Sequence, residues 1–223
     1  MSGRLGSCRL TYPITPRRYY DGGVPTRGLL LLDVDGPLNP YAAKLFARPA
    51  GYVTYREAPG GEWLSGWDAK RRKGYRVWLH PGHGALLRSL AEETGLELAW
   101  ATAWQHAANA RVAPAIGLDP LPVIEFPAAD AEVDAAGRLR WRQGGGWKWP
   151  AVNAFASGRP LAWLDDEHDG SEYAAARVAF DRDRAGSPTL LCHVDPRRGL
   201  RAGHLAEIRS WAAGLDGGPF RVD

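Results

Sequence analysis

Two hydrophobic periods run through this chain and divide it into elements. Leu29-Leu30-Leu31-Leu32 is a continuous apolar run of strand length that stops at Asp33, and Leu96–Ala101, Pro160–Leu164 and Thr189–Val194 repeat that texture. Runs that are apolar at nearly every position are the mark of strands buried on both faces, as in parallel sheets. Between them lie segments with helical spacing. Pro81–Glu93 puts Leu86, Leu87 and Leu90 on one face and stops at Gly95, and further helices are predicted over Gln105–Ile116, Trp149–Ser157, Gly170–Phe180 and Ala202–Leu215. Strands alternating with helices predict an α/β fold with a mostly parallel sheet covered on both faces.

Three stretches break this rhythm. Residues 1–27 are rich in Arg, Gly, Pro and Tyr without a period and read as a loosely ordered N-terminal arm, leaving 28–223 as the main domain. From about 37 to 75, Pro37, Pro40, Pro49, Pro59 and Gly60-Gly61 divide the chain into short pieces. Tyr52–Tyr55 alternates like a strand and Tyr75–Leu79 is another, which predicts a short β-hairpin flap insertion. Leu121–Phe126 contains Pro122 and so suits a sheet edge. Glu132-Val133 and Leu139-Arg140-Trp141 flank Ala136-Gly137 as a small hairpin.

Composition narrows the classes. The 223 residues are 45% hydrophobic, enough for one α/β core with an insertion. No segment approaches the ~18 apolar residues of a membrane span, and the N-terminus lacks an apolar signal core. The expectation is a cytoplasmic protein with no membrane partner. Cys8 and Cys192 do not make a disulfide framework, and Cys192, inside a strand-like run, reads as a core thiol. The formal charge of +3 is dominated by the arm, whose five arginines and Asp21 leave the rest of the chain at about −1. Lys70-Arg71-Arg72-Lys73 with Arg76 is a local exception. It fits either a solvated flap tip or a surface that meets a polyanion.

The chemistry concentrates where the apolar runs end. Asp33-Val34-Asp35-Gly36 places two carboxylates one residue apart at the end of a buried strand, where they are costly unless used. Thr102 follows the second run. Asp165-Asp166 ends the third. Lys148 sits in Gly144-Gly145-Gly146-Trp147-Lys148-Trp149-Pro150, just before a predicted helix. Ligands of parallel sheets bind outside the carboxyl ends of the strands, so the pattern gathers these residues at one rim. Taken alone, Asp33-x-Asp35 also fits a plain turn after a strand, Thr102 a strand-end cap, and Asp165-Asp166-Glu167 with Asp169 a solvated acidic loop.

Asp-x-Asp, then Thr, then Lys, then Asp-Asp, in this order over residues 29–170, resembles the haloacid dehalogenase superfamily of phosphohydrolases. The resemblance implies a Rossmann-like three-layer α/β sandwich. It also implies Mg²⁺-dependent phosphomonoester hydrolysis through an aspartyl-phosphate. Carried over residue by residue, Asp33 is the nucleophile and Asp35 the acid and base. Thr102 bonds a phosphoryl oxygen and Lys148 neutralises charge beside the nucleophile. Asp33, Asp165 and the main-chain carbonyl of Asp35 hold Mg²⁺, with Asp166 or Asp169 completing the set. Arg140 and Arg142 are alternatives to Lys148. One departure stands at Pro37, which has no amide to offer a phosphate. The Gly36 amide and the Asn39 side chain are the expected substitutes.

Asp-Val-Asp-Gly-Pro-Leu-Asn and the short flap look like haloacid dehalogenase domains proposed for nucleic-acid end repair. The expected substrate is therefore a phosphorylated nucleic-acid end or nucleotide, the alternatives being a sugar phosphate or a silent phosphate-binding module. Of the ten tryptophans, Trp78, Trp100 and Trp163 read as core. Trp63 and Trp67, with Arg71 and Arg72, read as substrate contacts in the flap. His80-x-x-His83 lacks partners at zinc spacing, and His168 reads as a pH-sensitive neighbour of the acidic cluster. Gly144–Gly146 lacks the Gly-Lys-Ser/Thr ending of a P-loop.

Overall fold

In the computed structural model, which describes residues 9–11, 20–21, 24–25, 27–44, 46–127, 131–133, 139–141 and 146–216, the leucine run lies within a five-stranded sheet. The elements in chain order begin with β1 (Arg9–Thr11), β2 (Tyr20–Asp21), β3 (Val24–Pro25) and β4 (Leu29–Leu32). Then come β5 (Val53–Glu57), β6 (Trp63–Ser65), α1 (Gly66–Arg71), β7 (Tyr75–Leu79), α2 (His83–Thr94) and β8 (Glu97–Trp100). After these follow α3 (Ala113–Ile116), β9 (Ala131–Val133), β10 (Leu139–Trp141), α4 (Lys148–Ala156), β11 (Leu161–Asp165), α5 (Ala174–Arg184), β12 (Thr189–His193) and α6 (Ala202–Asp216).

The main sheet has the order β1-β12-β11-β4-β8, with β12, β11, β4 and β8 parallel and β1 antiparallel at one edge. Period-two alternation splits its side chains between two cores. Leu30 and Leu32 pack with residues of α2, α3 and α6, whereas Leu29 and Leu31 pack with Trp149 and Val152 of α4 and Phe180 of α5. Helices therefore cover both faces, which is why β4 has no polar position. The mixed α/β architecture is as the periodicity predicts.

Several elements differ from the sequence reading in informative ways. The flap is a three-stranded antiparallel sheet of order β6-β5-β7 carrying the short helix α1, and it reaches Leu79. It is thus larger than the expected hairpin. Leu121–Phe126 makes only a single parallel bridge, Val123 to Trp100, because Pro122 offers a carbonyl to the Trp100 amide but no N–H in return. Within 1–27, β1 pairs with β12 and β2 with β3, and the remainder of the expected arm lies outside the described residues. The strands of the 131–141 hairpin pair as expected, while its Ala136-Gly137 turn, Arg142, Gly144 and Gly145 lie outside the described residues. Cys192 is disulfide-bonded, not the core thiol expected, and Cys8 lies outside the described residues. Such bonds are more usual in oxidising compartments than in the cytosol. No described helix is long and apolar enough to cross a membrane.

The two isolated-looking histidines of His80-x-x-His83 are packing groups. His80 accepts the Gly82 amide at its Nδ1 (3.0 Å), and its ring stacks on that of His83 at 5.0 Å. Tyr52 meets both rings edge-on. Burial, reinforced by His80, pushes the His83 imidazole down to about 4. Between pH 6.5 and about 4 the unfolded chain therefore binds a proton that the folded chain does not, and stability falls as pH falls. The expected loss from this residue is on the order of 2–3 kcal/mol across that window. Urea unfolding at pH 7 and pH 4.5 checks it, with His83→Phe expected to flatten the dependence.

Candidate active site

Parallel pairing brings the acidic strand ends into line. Leu32 stands opposite Trp100 on one side and Leu164 on the other, so Asp33, Ala101 and Asp165 leave the sheet at the same level. The ladder continues one step past β4, with the Asp33 amide donating to the Leu164 carbonyl (3.0 Å) and the Ala101 amide to that of Leu32 (2.9 Å). Since β8 and β11 flank β4 while neither is joined to it by a direct hairpin, this is where the strand order changes side, the position at which open α/β sheets bind ligands. Asp33 continues the Leu29, Leu31 alternation and Asp165 the Leu161, Trp163 alternation, toward the face covered by α4.

Lys148, the first residue of α4, meets them there. Its Nζ donates to Asp33 Oδ2 at 2.6 Å and to Asp165 Oδ2 at 2.8 Å, and pairs with Glu167 Oε2 at 3.2 Å. The side chains of Lys148, Asp33 and Asp165 are 3%, 6% and 1% exposed, so the pairs are shielded from solvent. A cation at a helix N-terminus opposes the macrodipole by under ~1 kcal/mol, far less than the carboxylates gain it. They hold the ammonium charged, raising its pKa well above the usual lysine value against the opposing effect of burial. The remaining bonds fix the carboxylates: the Val34 amide donates to Asp33 Oδ1 (2.6 Å) and the Glu167 amide to Asp165 Oδ1 (2.9 Å).

Carboxylate oxygens of Asp33, Asp165 and Asp166 come within 4.8 Å of one another. Together with Glu167 they set four carboxyl groups against one ammonium. Burial and this crowding push Asp165 up, and push Asp166 up to about 7. An all-oxygen donor set with unbalanced negative charge suits a hard divalent cation. Asp169 is exposed and outside this group, so of the two residues the sequence leaves open it is Asp166 that joins. Its Oδ2 also accepts the Tyr41 hydroxyl at 2.9 Å.

Asp35 lies in a different environment. It makes no pair with Lys148; instead three neutral donors converge on it. Asn39 Nδ2 (2.6 Å) and the Tyr75 hydroxyl (3.1 Å) reach Oδ1, and Trp104 Nε1 (3.0 Å) reaches Oδ2. Burial, then the charge of Asp33, raises its pKa, and the three hydrogen bonds oppose that rise. Thr102 is fully buried at the rim, and its Oγ1 accepts the Trp104 amide at 3.3 Å.

Not every expected substrate contact is free to be one. The Gly36 amide donates to the Asn39 carbonyl (2.9 Å). Asn39 is fully buried, with Nδ2 on Asp35 and Tyr75 and Oδ1 accepting the Trp78 amide (3.0 Å). Both close the turn after β4 onto the edge of β7, with the Gly36 amide and the Asn39 side chain already engaged within the protein. Trp63 is half-buried, stacked on Tyr55 at 5.3 Å and edge-on to Trp104 at 6.0 Å. Trp67, Arg71 and Arg72 stay exposed, but on the other face of the flap. Tyr55, Trp63 and Tyr75 share the face turned to Trp104, whereas Arg56, on the opposite face, donates to the Ala69 carbonyl of α1 (2.8 Å). Trp67 packs under Arg71 at 5.3 Å, and Arg72 pairs with Glu62. His168 is not a pH-sensitive neighbour. It is a buried ring, bonded to the Trp163 carbonyl (3.0 Å) and pushed down to about 3 by burial.

Tyr41, Tyr75, Trp104 and Glu167 join the site although the sequence offers none of them as a catalytic, metal or substrate residue. Each lies within two residues of a candidate except Tyr75, which only the flap pairing brings near. No protein-family model, curated protein or solved structure matches this chain.

Gly36 carries a tight constraint. Its φ is +87°, and a Cβ there would lie 2.6 Å from Cβ and Cγ of Asp166. Gly36→Ala is expected to cost at least about 1 kcal/mol and to displace Asp166. Thermal melting of the variant with and without Mg²⁺ reads both effects.

Proposed function

We propose that this chain is a Mg²⁺-dependent phosphomonoester hydrolase of the haloacid dehalogenase type, with the Rossmann-like three-layer fold that type implies. The observation that carries the reading is the contrast between two carboxylates one residue apart. Asp33 is held by a buried ammonium beside two further acids, while Asp35 is held by neutral donors alone. Paired carboxyls in unlike environments suit unlike roles.

In this reading the phosphoryl group sits at the rim above β4. An Asp33 oxygen attacks phosphorus as the ester P–O bond breaks, and Asp35 gives its proton to the leaving oxygen. The Asp35 carboxylate then takes a proton from the water that attacks the aspartyl-phosphate. Inorganic phosphate leaves, Asp33 is restored as a carboxylate, and Asp35 is again protonated. Lys148 holds Asp33 in place and offsets phosphoryl charge, and the Thr102 hydroxyl donates to a phosphoryl oxygen. Asp33, Asp165 and Asp166, with the Asp35 carbonyl, would hold Mg²⁺, which when bound supplies neutralisation of the phosphoryl oxygens.

A nucleotide or nucleic-acid end is the substrate class favoured by the rings at the entrance. Tyr41 and Tyr75, 43% and 41% exposed, point their hydroxyls at Asp166 and Asp35 and offer faces for a base. The outward placement of α1 favours a second reading, a small phosphate ester, because the Lys70–Lys73 run does not face the acids.

Phosphate release with Mg²⁺ from nucleotides, phosphorylated oligonucleotides and sugar phosphates tests the proposal. Asp33→Asn should reduce turnover by a factor of about 10³ or more while leaving the melting temperature within a few degrees. Unchanged turnover would remove Asp33 as nucleophile. Independently of activity, Mg²⁺ should raise the melting temperature of the parent protein, and Asp165→Asn should remove most of that rise. Because the Lys70–Lys73 run does not face the acids, neutralising Lys70, Arg71, Arg72 and Lys73 together should leave KM for a small ester unchanged, and a rise confined to oligonucleotide ends would show that a longer chain reaches the outer face. Equal effects would favour the small-ester reading.

A further inference from the structure

We propose that Tyr75 and Trp104 are positioning residues for Asp35, so that the flap sheet sets the proton-transfer geometry of the site. The inference rests on the hydrolase reading and extends it to two side chains that never touch phosphorus.

The donors on Asp35 come from three separate stretches of chain. Asn39 belongs to the turn after β4, Tyr75 opens β7, and Trp104 lies in the segment after β8. With two donors on Oδ1 and one on Oδ2, rotation of the carboxyl group about its own bonds breaks at least one of these contacts. Asn39 alone fixes only one oxygen. Tyr75 and Trp104 complete the clamp from opposite ends, and their rings lie 6.2 Å apart.

Behind them stands a continuous aromatic chain. Trp104 meets Trp63 edge-on at 6.0 Å, and Trp63 stacks on Tyr55 at 5.3 Å with the planes 9° apart. Tyr55, Trp63 and Tyr75 come from β5, β6 and β7, so each strand of the flap supplies one ring. Arg111, in the π-helical segment Ala108–Val112 that leads into α3, pairs with Glu57 at the end of β5 and donates to the Gly61 carbonyl, tying the flap to the body of the domain. This face of the flap is a wall behind Asp35 rather than a lid lined with charges.

The chemical choice of partners fits the task. A cation on Asp35 would hold it as a carboxylate, leaving it no proton to give to the leaving oxygen; Asp33, which has to remain a nucleophilic anion, is the one that receives Lys148. Neutral N–H and O–H donors orient Asp35 while pulling it toward the carboxylate less strongly than an ion pair would. During the first step the proton passes from Asp35 to the oxygen released as the ester P–O bond breaks. Misalignment therefore matters most when that oxygen leaves poorly as an anion.

Tyr75→Phe and Trp104→Phe each remove one donor and keep a ring in the wall. The test compares kcat/KM for p-nitrophenyl phosphate, whose phenolate leaves without a proton, with that for a simple alkyl phosphate, whose alkoxide does not. Each variant is expected to lower the alkyl value about tenfold or more and the aryl value by less than about threefold, with an unchanged melting profile. A merely structural role would lower both alike. Equal losses on the two esters, or no loss on either, would overturn the inference while leaving the hydrolase reading in place. If Trp104→Phe fails to fold, Tyr75→Phe, which deletes one oxygen, decides alone. No turnover of either ester by the parent protein would overturn the hydrolase reading, and this inference with it.

Discussion

One ammonium organises the site. Lys148 stands at the start of α4, buried, between the acids that end two neighbouring parallel strands. Burying a lone lysine or a lone aspartate there would cost several kcal/mol; the pairing in a water-excluded place offsets that cost only when the geometry is close. The requirement reaches outward. α4 must begin at this point above the sheet, β4 and β11 must be in the register that levels Asp33 with Asp165, and the Val34 and Glu167 amides must hold the outer oxygens. The apolar packing of Trp149, Val152 and Ala156 against Leu29, Leu31 and Trp163 supplies the rigid support beneath it.

The same ion pair leaves the centre under-neutralised. Four acids face one lysine, and burial together with that excess charge raises Asp165 and Asp166. Stability alone would favour fewer acids in so dry a place. Their place at the carboxyl rim of a parallel sheet is the physical basis for proposing a divalent cation there. Asp35, two residues from Asp33, escapes that network because the chain turns at Gly36, and the turn hands it to Asn39 and the flap.

The flap shows how a correct local reading can carry a wrong destination. Aromatic and basic residues between 52 and 76 suggest a substrate surface when they are read in order. Strand pairing sorts them. Tyr55, Trp63 and Tyr75 share the inner face and become a wall behind Asp35, while α1 with Trp67 and Arg71 lies on the outer one. A shift of one residue in the β5–β7 register would exchange the two faces.

Much of the framework was legible in the residues themselves. Runs such as Leu29–Leu32 and Leu161–Leu164 are strands because continuous apolar character over four or five residues requires burial on both sides, and the acids after them stand at carboxyl ends by chain direction alone. The helix stop at Gly95 follows from the left-handed backbone that glycine accepts readily. These are short-range constraints, set by neighbours within a few positions. Which donors meet Asp35, whether Asp166 or Asp169 joins the acids, and which way the basic helix turns were decided only by the tertiary structure. Those outcomes depend on pairing between segments 36 to 125 residues apart, such as Asn39 with Tyr75 and Tyr41 with Asp166, and there the register of whole strands, not the character of any one residue, places the side chains.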